Sequence, residues 1–326
     1  MTRVSPITDY EFGELMAPFS ISHSFAVAVS GGADSLALTL LAHRYALSHG
    51  IAMTALTVDH HLRDHSTAEA NAVHALLAEQ GIIHTVLTWQ HDTPPTTKIQ
   101  EKARCHRYRL LWDWCQMNNV QTLLTAHHQG DQVETFFMRL AHRSGLKGLS
   151  SMRSCTQTPF GVLLRPFLST PKERLVATLK IFGVQWYDDP SNKNHKFERI
   201  RLRYALNILE DTGVLTADAI SISIQKLQYI DDFLDESVHT FFKTYEATCF
   251  PLIAFQGQHF VLRRRILVYL LKELSSQSYG APDALIDRVA AQMMQPTFKG
   301  TTLGGLYLKR SAGGMVRVQR ENRRIV

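Results

Sequence analysis

The chain has 326 residues, 45% of them hydrophobic, a net charge of +6 and no low-complexity tract, which bounds a globular protein of about two domains. It has no uninterrupted apolar run of about 20 residues and no basic start followed by an apolar core and cleavage site, so neither a membrane span nor secretion is expected. Residues 1–190 balance to zero and the whole excess lies in 191–326, while Thr135 to Lys172 holds six basic residues and no acid, which fits a polyanionic partner or a solvated basic face.

Alternation in Phe25, Val27 and Val29 predicts a strand, and the apolar run from Leu36 predicts a helix. Between them stands Ser30-Gly31-Gly32-Ala33-Asp34-Ser35. Glycines opening a helix aim unpaired backbone N–H groups and the positive end of the helix dipole at an anion, with phosphate the obvious candidate. A second strand, "AMTALTVDHHL", ends at Asp59, with His60 next; the helix "STAEANAVHALLAEQG" and the segment "IIHTVLTW" follow. "HDTPP" breaks the chain before a helix from about Lys98 to Met117, opened by a Thr97–Gln100 capping-box spacing. The strand "VQTLLTAHH" and the helix "GDQVETFFMRLAH" complete a βαβα rhythm. This predicts an α/β fold, a parallel sheet with helices on both faces, and ligands beyond the carboxyl ends of the strands. The Gly-Gly turn, Asp59 with His60, and His127 with His128 all stand at such ends. Then come a loop-rich stretch over 144–171, a basic helix in "FERIRLRYALNIL" and a boundary near "EDTGVL". A smaller, mostly helical second domain over 213–326 contains a long helix from Ile220 to Tyr245 and a terminal hairpin with glycine turns.

Neither GxxxxGK(S/T) nor GxGxxG is present, so the two commoner nucleotide loops are excluded. The cysteines, Cys105, Cys115, Cys155 and Cys249, form no CxxC pair and are expected to be buried thiols of a reducing compartment. His127, Asp131 and Glu134, at i, i+4 and i+7, share one helical face, a stripe suited to Mg²⁺ or a substrate amine; a solvated helix start is the bland alternative. Zinc is disfavoured for want of a fourth ligand. Gln100, Arg104 and Tyr108 share another face, from which Arg104 can pair with a phosphate in bidentate fashion.

"SGGADS" resembles the SGGxDS loop of the ATP-pyrophosphatase, or PP-loop, superfamily. With "VDHHLR", "ARCHRY", "TAHHQGDQVET", "RSGLKGL", "RPF" and "DPSNKNHKFERIRLR" in order, residues 25–205 resemble the tRNA(Ile)-lysidine synthetase family. "TLGGLYL" and "VQRE" look like its shorter members. The resemblance implies an adenine nucleotide alpha-hydrolase-like catalytic domain over 1–212, a tRNA-binding domain over 213–326, a cytoplasmic location, and ATP with Mg²⁺. The implied reaction adenylates the wobble cytidine of an isoleucine tRNA with a CAU anticodon, and free lysine then displaces AMP. The resemblance carries catalytic roles onto Asp34, Arg104, Asp131 and Glu134, and Mg²⁺ onto Asp34. Nucleotide contacts fall on Ser30, Gly31, Gly32, Ala33, Asp34 and Ser35, with Asp59, His60 and His127. Arg139, Arg143, Lys147, Arg165, Arg199, Arg201 and Arg203 are the expected tRNA contacts, and a homodimer is left open. Two positions depart from the family pattern: Gly130 replaces the first of two adjacent acids, and Ile200 stands where asparagine is usual.

The alternatives are a tRNA thiolase of the 2-thiocytidine type, which needs paired cysteines, and a nucleotide-binding module without catalysis. An ammonia-using ligase would need a glutaminase motif that is absent. Arg263, Arg264, Arg265, Lys309 and Arg310 are read as a tRNA grip, the alternative being a helix cap.

Overall fold

The computed structural model describes residues 4–21, 23–61, 66–90, 99–186, 198–275 and 281–321. The Thr97–Gln100 cap side chains and the 189–197 turn lie outside these residues. The chain divides into two compact units, Met1–Gln225 and Lys226–Val326. In the first, α1 (Asp9–Met16), β1 (Ser24–Ala28), α2 (Ala33–His49), β2 (Ala52–Asp59), α3 (Ser66–Glu79), β3 (His84–Thr88), α4 (Ile99–Met117) and β4 (Thr122–Leu124) come first. They are followed by α5 (Gln129–Ala141), α6 (Leu146–Leu149), β5 (Cys155–Thr158), β6 (Gly161–Leu164), α7 (Lys172–Phe182) and α8 (Glu198–Asp211). The boundary between the units falls inside α9 (Ala217–Thr244).

The predicted α/β sheet is present, in the order β3-β2-β1-β4-β6-β5. β1 runs parallel to both neighbours, Val27 lying opposite Ala55 on one side and Leu124 on the other. Because side chains alternate across a strand, Phe25 and Val27 join the core formed with α2, while Ala26 joins Leu111, Trp112 and Cys115 of α4 in a separate core. Leu36, Leu38 and Leu41 of α2 are fully buried, each contributing about 1.5–3 kcal/mol of apolar burial.

The expectation of a loop over 144–171 is overturned. This stretch holds α6 and the β5–β6 hairpin, and β6 pairs parallel to β4 with Thr122 opposite Val162. Four-residue strands are too short to express a period, and Pro159 and Gly161 mark the turn more strongly than Val162 to Leu164 mark the strand.

The second unit adds β7 (Cys249–Pro251), α10 (Leu252–Gln256), α11 (Phe260–Leu274), α12 (Asp283–Met293), β8 (Gly300–Leu303), β9 (Leu306–Arg310) and β10 (Met315–Arg320). Its antiparallel sheet, β7-β10-β9-β8, closes over Phe250, Phe255, Leu267, Leu270 and Val289. The expected hairpin is β9–β10, extended by β8. The triple arginine serves this unit: Arg263 donates to the Gln256 and Gln258 carbonyls, Arg264 meets Asp283 at 3.1 Å, and Arg265 binds Asp231 and Asp235. Arg310 donates to the Pro296 carbonyl, whereas Lys309 is exposed.

Of the cysteines only Cys115 is fully buried, and burial pushes its thiol up to about 12; Cys105 and Cys155 are exposed. Among the described residues no helix is long and apolar enough to cross a membrane.

Candidate active site

The C-terminal ends of β2, β1 and β4 lie side by side, which brings together three chain segments far apart in sequence. At the centre, Gly31 takes φ +82°, a left-handed conformation, and a Cβ there would stand 2.8 Å from Val73 Cγ2. Two independent constraints therefore demand glycine. The α2 N-cap, Gly32, offers no side-chain acceptor, so the first-turn amides keep their donor capacity. The Ser35 hydroxyl accepts from the Ser30 amide at 3.1 Å and lies 3.2 Å from the Ser30 hydroxyl, pinning the turn. The result is a pre-shaped cradle of N–H and O–H groups for phosphate oxygens.

Asp34 stands on the first turn of α2 with Oδ1 buried and without a hydrogen-bond partner among the described residues. Its Oδ2 lies 3.7 Å from His128 Nε2 and 3.6 Å from Lys172 Nζ. A buried carboxylate oxygen with no donor fits a hard divalent cation that takes its other ligands from phosphate and water. Among the described residues no three His, Cys, Asp or Glu side chains gather to hold a metal by themselves, so Mg²⁺ here would arrive with its nucleotide. Sequence reasoning missed Lys172 as a site residue. It starts α7, and the Thr170 carbonyl accepting from the Gln129 amide at 3.0 Å ties that start to α5.

His128 is the N-cap of α5. Its Nδ1 accepts from the Gly130 amide at 3.0 Å, and Asp131 Oδ2 accepts from the His128 amide at 3.0 Å, a reciprocal capping box. With Nδ1 accepting, the neutral ring carries its proton on Nε2, which lies 3.7 Å from both Asp34 and Asp131. Gly130, the departure noted in the sequence, has a structural basis. A Cβ at that position would lie 2.9 Å from His128 Cε1.

The helical stripe is corrected in one member. α5 starts at Gln129, so His127 precedes the helix, and only Asp131 and Glu134 share its face. Both acids are paired. Arg199 donates through NH2 to Asp131 Oδ1 at 2.6 Å and through Nε to Glu134 Oε2, and Arg203 donates to Glu134 Oε1 at 2.6 Å. Burial alone would raise the Asp131 pKa, but His128, Arg199 and His127 hold it below the usual carboxylate value. Burial opposes the Arg199 charge, and the two carboxylates outweigh it and raise that pKa.

His127 hydrogen bonds through Nδ1 to the Thr125 hydroxyl at 2.9 Å. Its pKa is lowered to about 3, first by burial, with Asp131 opposing and Arg165, Arg104 and Arg107 assisting, so the ring is neutral at pH 7. Asp59 is committed to neighbouring segments: Oδ1 accepts from the His61 amide at 3.0 Å and Oδ2 from the hydroxyl of Thr67, on α3, at 2.7 Å. Burial would raise its pKa, and these bonds hold it down. His60 packs edge-on to Trp89, centroids 6.0 Å apart, and Trp89 stacks on His106 at 4.3 Å.

The expected basic contacts separate. Arg139, Arg143, Lys147 and Arg201 are exposed, Arg199 and Arg203 face the carboxylates, and Arg165 is only 8% exposed.

A family model described as a PP-loop domain matches residues 4–209. A tRNA(Ile)-lysidine synthase of Bradyrhizobium sp. (strain BTAi1) is 31% identical, the match covering 98% of this chain and 94% of that protein. The tRNA(Ile)-lysidine synthase of Bradyrhizobium diazoefficiens is 42% identical over 211 residues, 64% of this chain and 58% of that protein's length. The solved U34-tRNA thiolase NcsA from Methanococcus maripaludis, with its 4Fe-4S cluster, matches with a TM-score of 0.56 at 14% identity, over 70% of this chain and 88% of that one. At that identity the likeness concerns the fold. The phosphate cradle, the carboxylate pair beside it and a full-length match at this identity lead to one conclusion: the chain belongs to the tRNA(Ile)-lysidine synthase family, PP-loop ligases that use ATP.

Proposed function

We propose that this chain converts the wobble cytidine of a CAU-anticodon isoleucine tRNA to lysidine. The cytidine oxygen on carbon 2 attacks the α-phosphorus of ATP, the bond to the β-phosphate breaks, and pyrophosphate leaves. The ε-amine of free lysine then bonds to carbon 2, the carbon–oxygen bond breaks, AMP departs and the amine loses protons to a base. One observation carries the reading: the Asp34 carboxylate, whose Oδ1 meets no hydrogen-bond partner among the described residues, and the Asp131 carboxylate flank His128 Nε2 at 3.7 Å each. The phosphate-handling and amine-handling halves of such a reaction thus adjoin.

The Gly31–Ser35 amides and hydroxyls receive the departing pyrophosphate. Asp34 would hold Mg²⁺, which when bound offsets the charge on the phosphates. Free lysine is protonated at neutral pH, its reference pKa being about 10.4, so its ammonium needs a carboxylate partner and then a proton acceptor. Asp131 and Glu134 are the two candidates for these roles, and each has both oxygens engaged in this structure, Asp131 by Arg199 and the His128 amide, Glu134 by Arg199 and Arg203. This reading makes residues 213–326 a tRNA-binding region, assigns a cytoplasmic location, and leaves a homodimer to be tested by sedimentation.

The test is incubation with ATP, Mg²⁺, radiolabelled lysine and a CAU-anticodon isoleucine tRNA. Label should enter the RNA only when all are present. Label that stays off the RNA while a competent control enzyme incorporates it would refute the assignment. The thiolase alternative is disfavoured by cysteines scattered over α4, β5 and β7.

A further inference from the structure

Beside His127 the structure gathers positive charge that the ion pairs above leave unused. α4 carries Arg104, Arg107 and Tyr108, and both guanidinium carbons stand 5.3 Å from the Tyr108 ring centroid. Arg165, directly after β6, is nine-tenths buried; its NH1 donates to the Arg153 carbonyl at 2.8 Å and to the Thr156 hydroxyl at 2.9 Å. Its Nε and the Arg107 Nε are buried and meet no hydrogen-bond partner among the described residues, and the buried Tyr108 hydroxyl lies beside the Arg165 guanidinium. All three arginines act on His127, and Arg104 and Tyr108 act on Arg165, so the groups form one electrostatic cluster. The acid that acts on His127, Asp131, is already bonded to Arg199.

A buried donor left unpaired costs about 1–3 kcal/mol, and three guanidinium groups around one tyrosine repel each other besides. A fold that keeps this arrangement gains from it only when an anion with several oxygens arrives. Guanidinium forks match phosphate oxygens in pairs, and a phenol supplies a further donor. A carboxylate offers only two oxygens to this donor set.

We propose that Arg107, Tyr108 and Arg165, with Arg104, form a phosphate subsite separate from the Gly31–Ser35 cradle. Its occupant is either the α-phosphate of ATP or a backbone phosphodiester of the RNA. The site deepens the lysidine reading and rests on that reading for the identity of the phosphate, while its anion-binding character stands on the geometry alone.

The test uses the full chain and its Arg107→Gln, Tyr108→Phe and Arg165→Lys variants, with melting temperature as the folding control. Each is titrated calorimetrically with MgATP alone, and separately with an anticodon stem-loop RNA bearing CAU across a salt series. Loss of about tenfold or more in the ATP arm, the size of one charge-assisted hydrogen bond, identifies the α-phosphate. The same loss in the RNA arm, with the log–log salt slope of Arg107→Gln shallower by about 0.7–0.9 and those of the two charge-conserving variants unchanged, identifies the backbone. If Arg107→Gln misfolds, Tyr108→Phe and Arg165→Lys carry the test on affinity alone, since they remove a single hydroxyl or the planar fork and leave the charge that sets the salt slope unchanged. Affinities within twofold of the parent in both arms, or a loss confined to lysine binding, would overturn the subsite. Binding losses in a parent that forms no lysidine would instead refute the proposed function and leave the subsite standing.

Discussion

Arg199 and Asp131, 68 residues apart in the chain, meet at 2.6 Å, and the same guanidinium reaches Glu134. A residue expected on the tRNA backbone thus sits on the carboxylates expected to receive lysine. Arg199→Gln would leave a 3%-exposed Glu134 with one partner and Asp131 Oδ1 with none. Removing one partner of a buried pair costs about 3–5 kcal/mol; because 40% of the Arg199 side chain is exposed, about 1–3 kcal/mol is expected in urea unfolding. The freed carboxylates should also lower the KM for lysine. Unchanged stability and an unchanged KM would show the pair to be incidental.

Gly130→Ala tests the His128 arrangement. The added methyl must push the imidazole ring off its position, since the Cβ lies 2.9 Å from Cε1. Helix propensity favours alanine by about 1 kcal/mol, so little net change in melting temperature is expected. Affinity for MgATP should fall severalfold as Nε2 leaves Asp34. Full MgATP affinity in this variant would argue against His128 as the positioning link.

Gly31→Ala should abolish detectable ATP binding. Double substitution with Val73→Ala relieves the 2.8 Å contact with the side chain but not the positive φ. Strain of about 1–2 kcal/mol should therefore persist, and rescue should be incomplete. Complete recovery of ATP affinity in the double variant would show that crowding alone demands glycine.

His84 supplies a pH dependence. Its Nε2 lies 2.9 Å from the Thr57 hydroxyl, and burial, aided by His74, lowers its pKa from the ordinary 6.5 to about 4. Below pH 6.5 the unfolded chain takes a proton that the folded chain refuses until about 4. The stability is therefore present above 6.5 and lost as the pH falls between these values. His84→Gln should lessen the fall in melting temperature between pH 7 and pH 5. An identical pH profile would place the acid sensitivity elsewhere.

Arg265→Gln should lower the stability of the C-terminal unit, because the side chain is 13% exposed and paired with buried Asp231. The salt slope of tRNA binding should not change. A slope reduced by about 0.7–0.9 would return Arg265 to the RNA interface.

Local grammar made the first strand, the glycine turn and the start of α2 readable, because a two-residue alternation and a helix opened by two glycines are properties of neighbours in the chain. Order along the chain also carried the parallel βαβ rhythm, and with it the convergence of the Gly-Gly turn, Asp59 and His127 at the strand ends. The β5–β6 hairpin stayed hidden because two four-residue strands are stabilised by pairing, which no local pattern records.

Residue types and spacing by themselves determined which side chains were candidates for handling phosphate, a cation or an amine. Which charges neutralise one another was decided by folding alone: Arg199 and Arg203 on the α5 acids, Lys172 near Asp34, Arg165 buried beside Tyr108. The reason is that an ion pair across 65 or more residues depends on the distance and dielectric between side chains brought together by the sheet, and neither quantity exists until the sheet is formed.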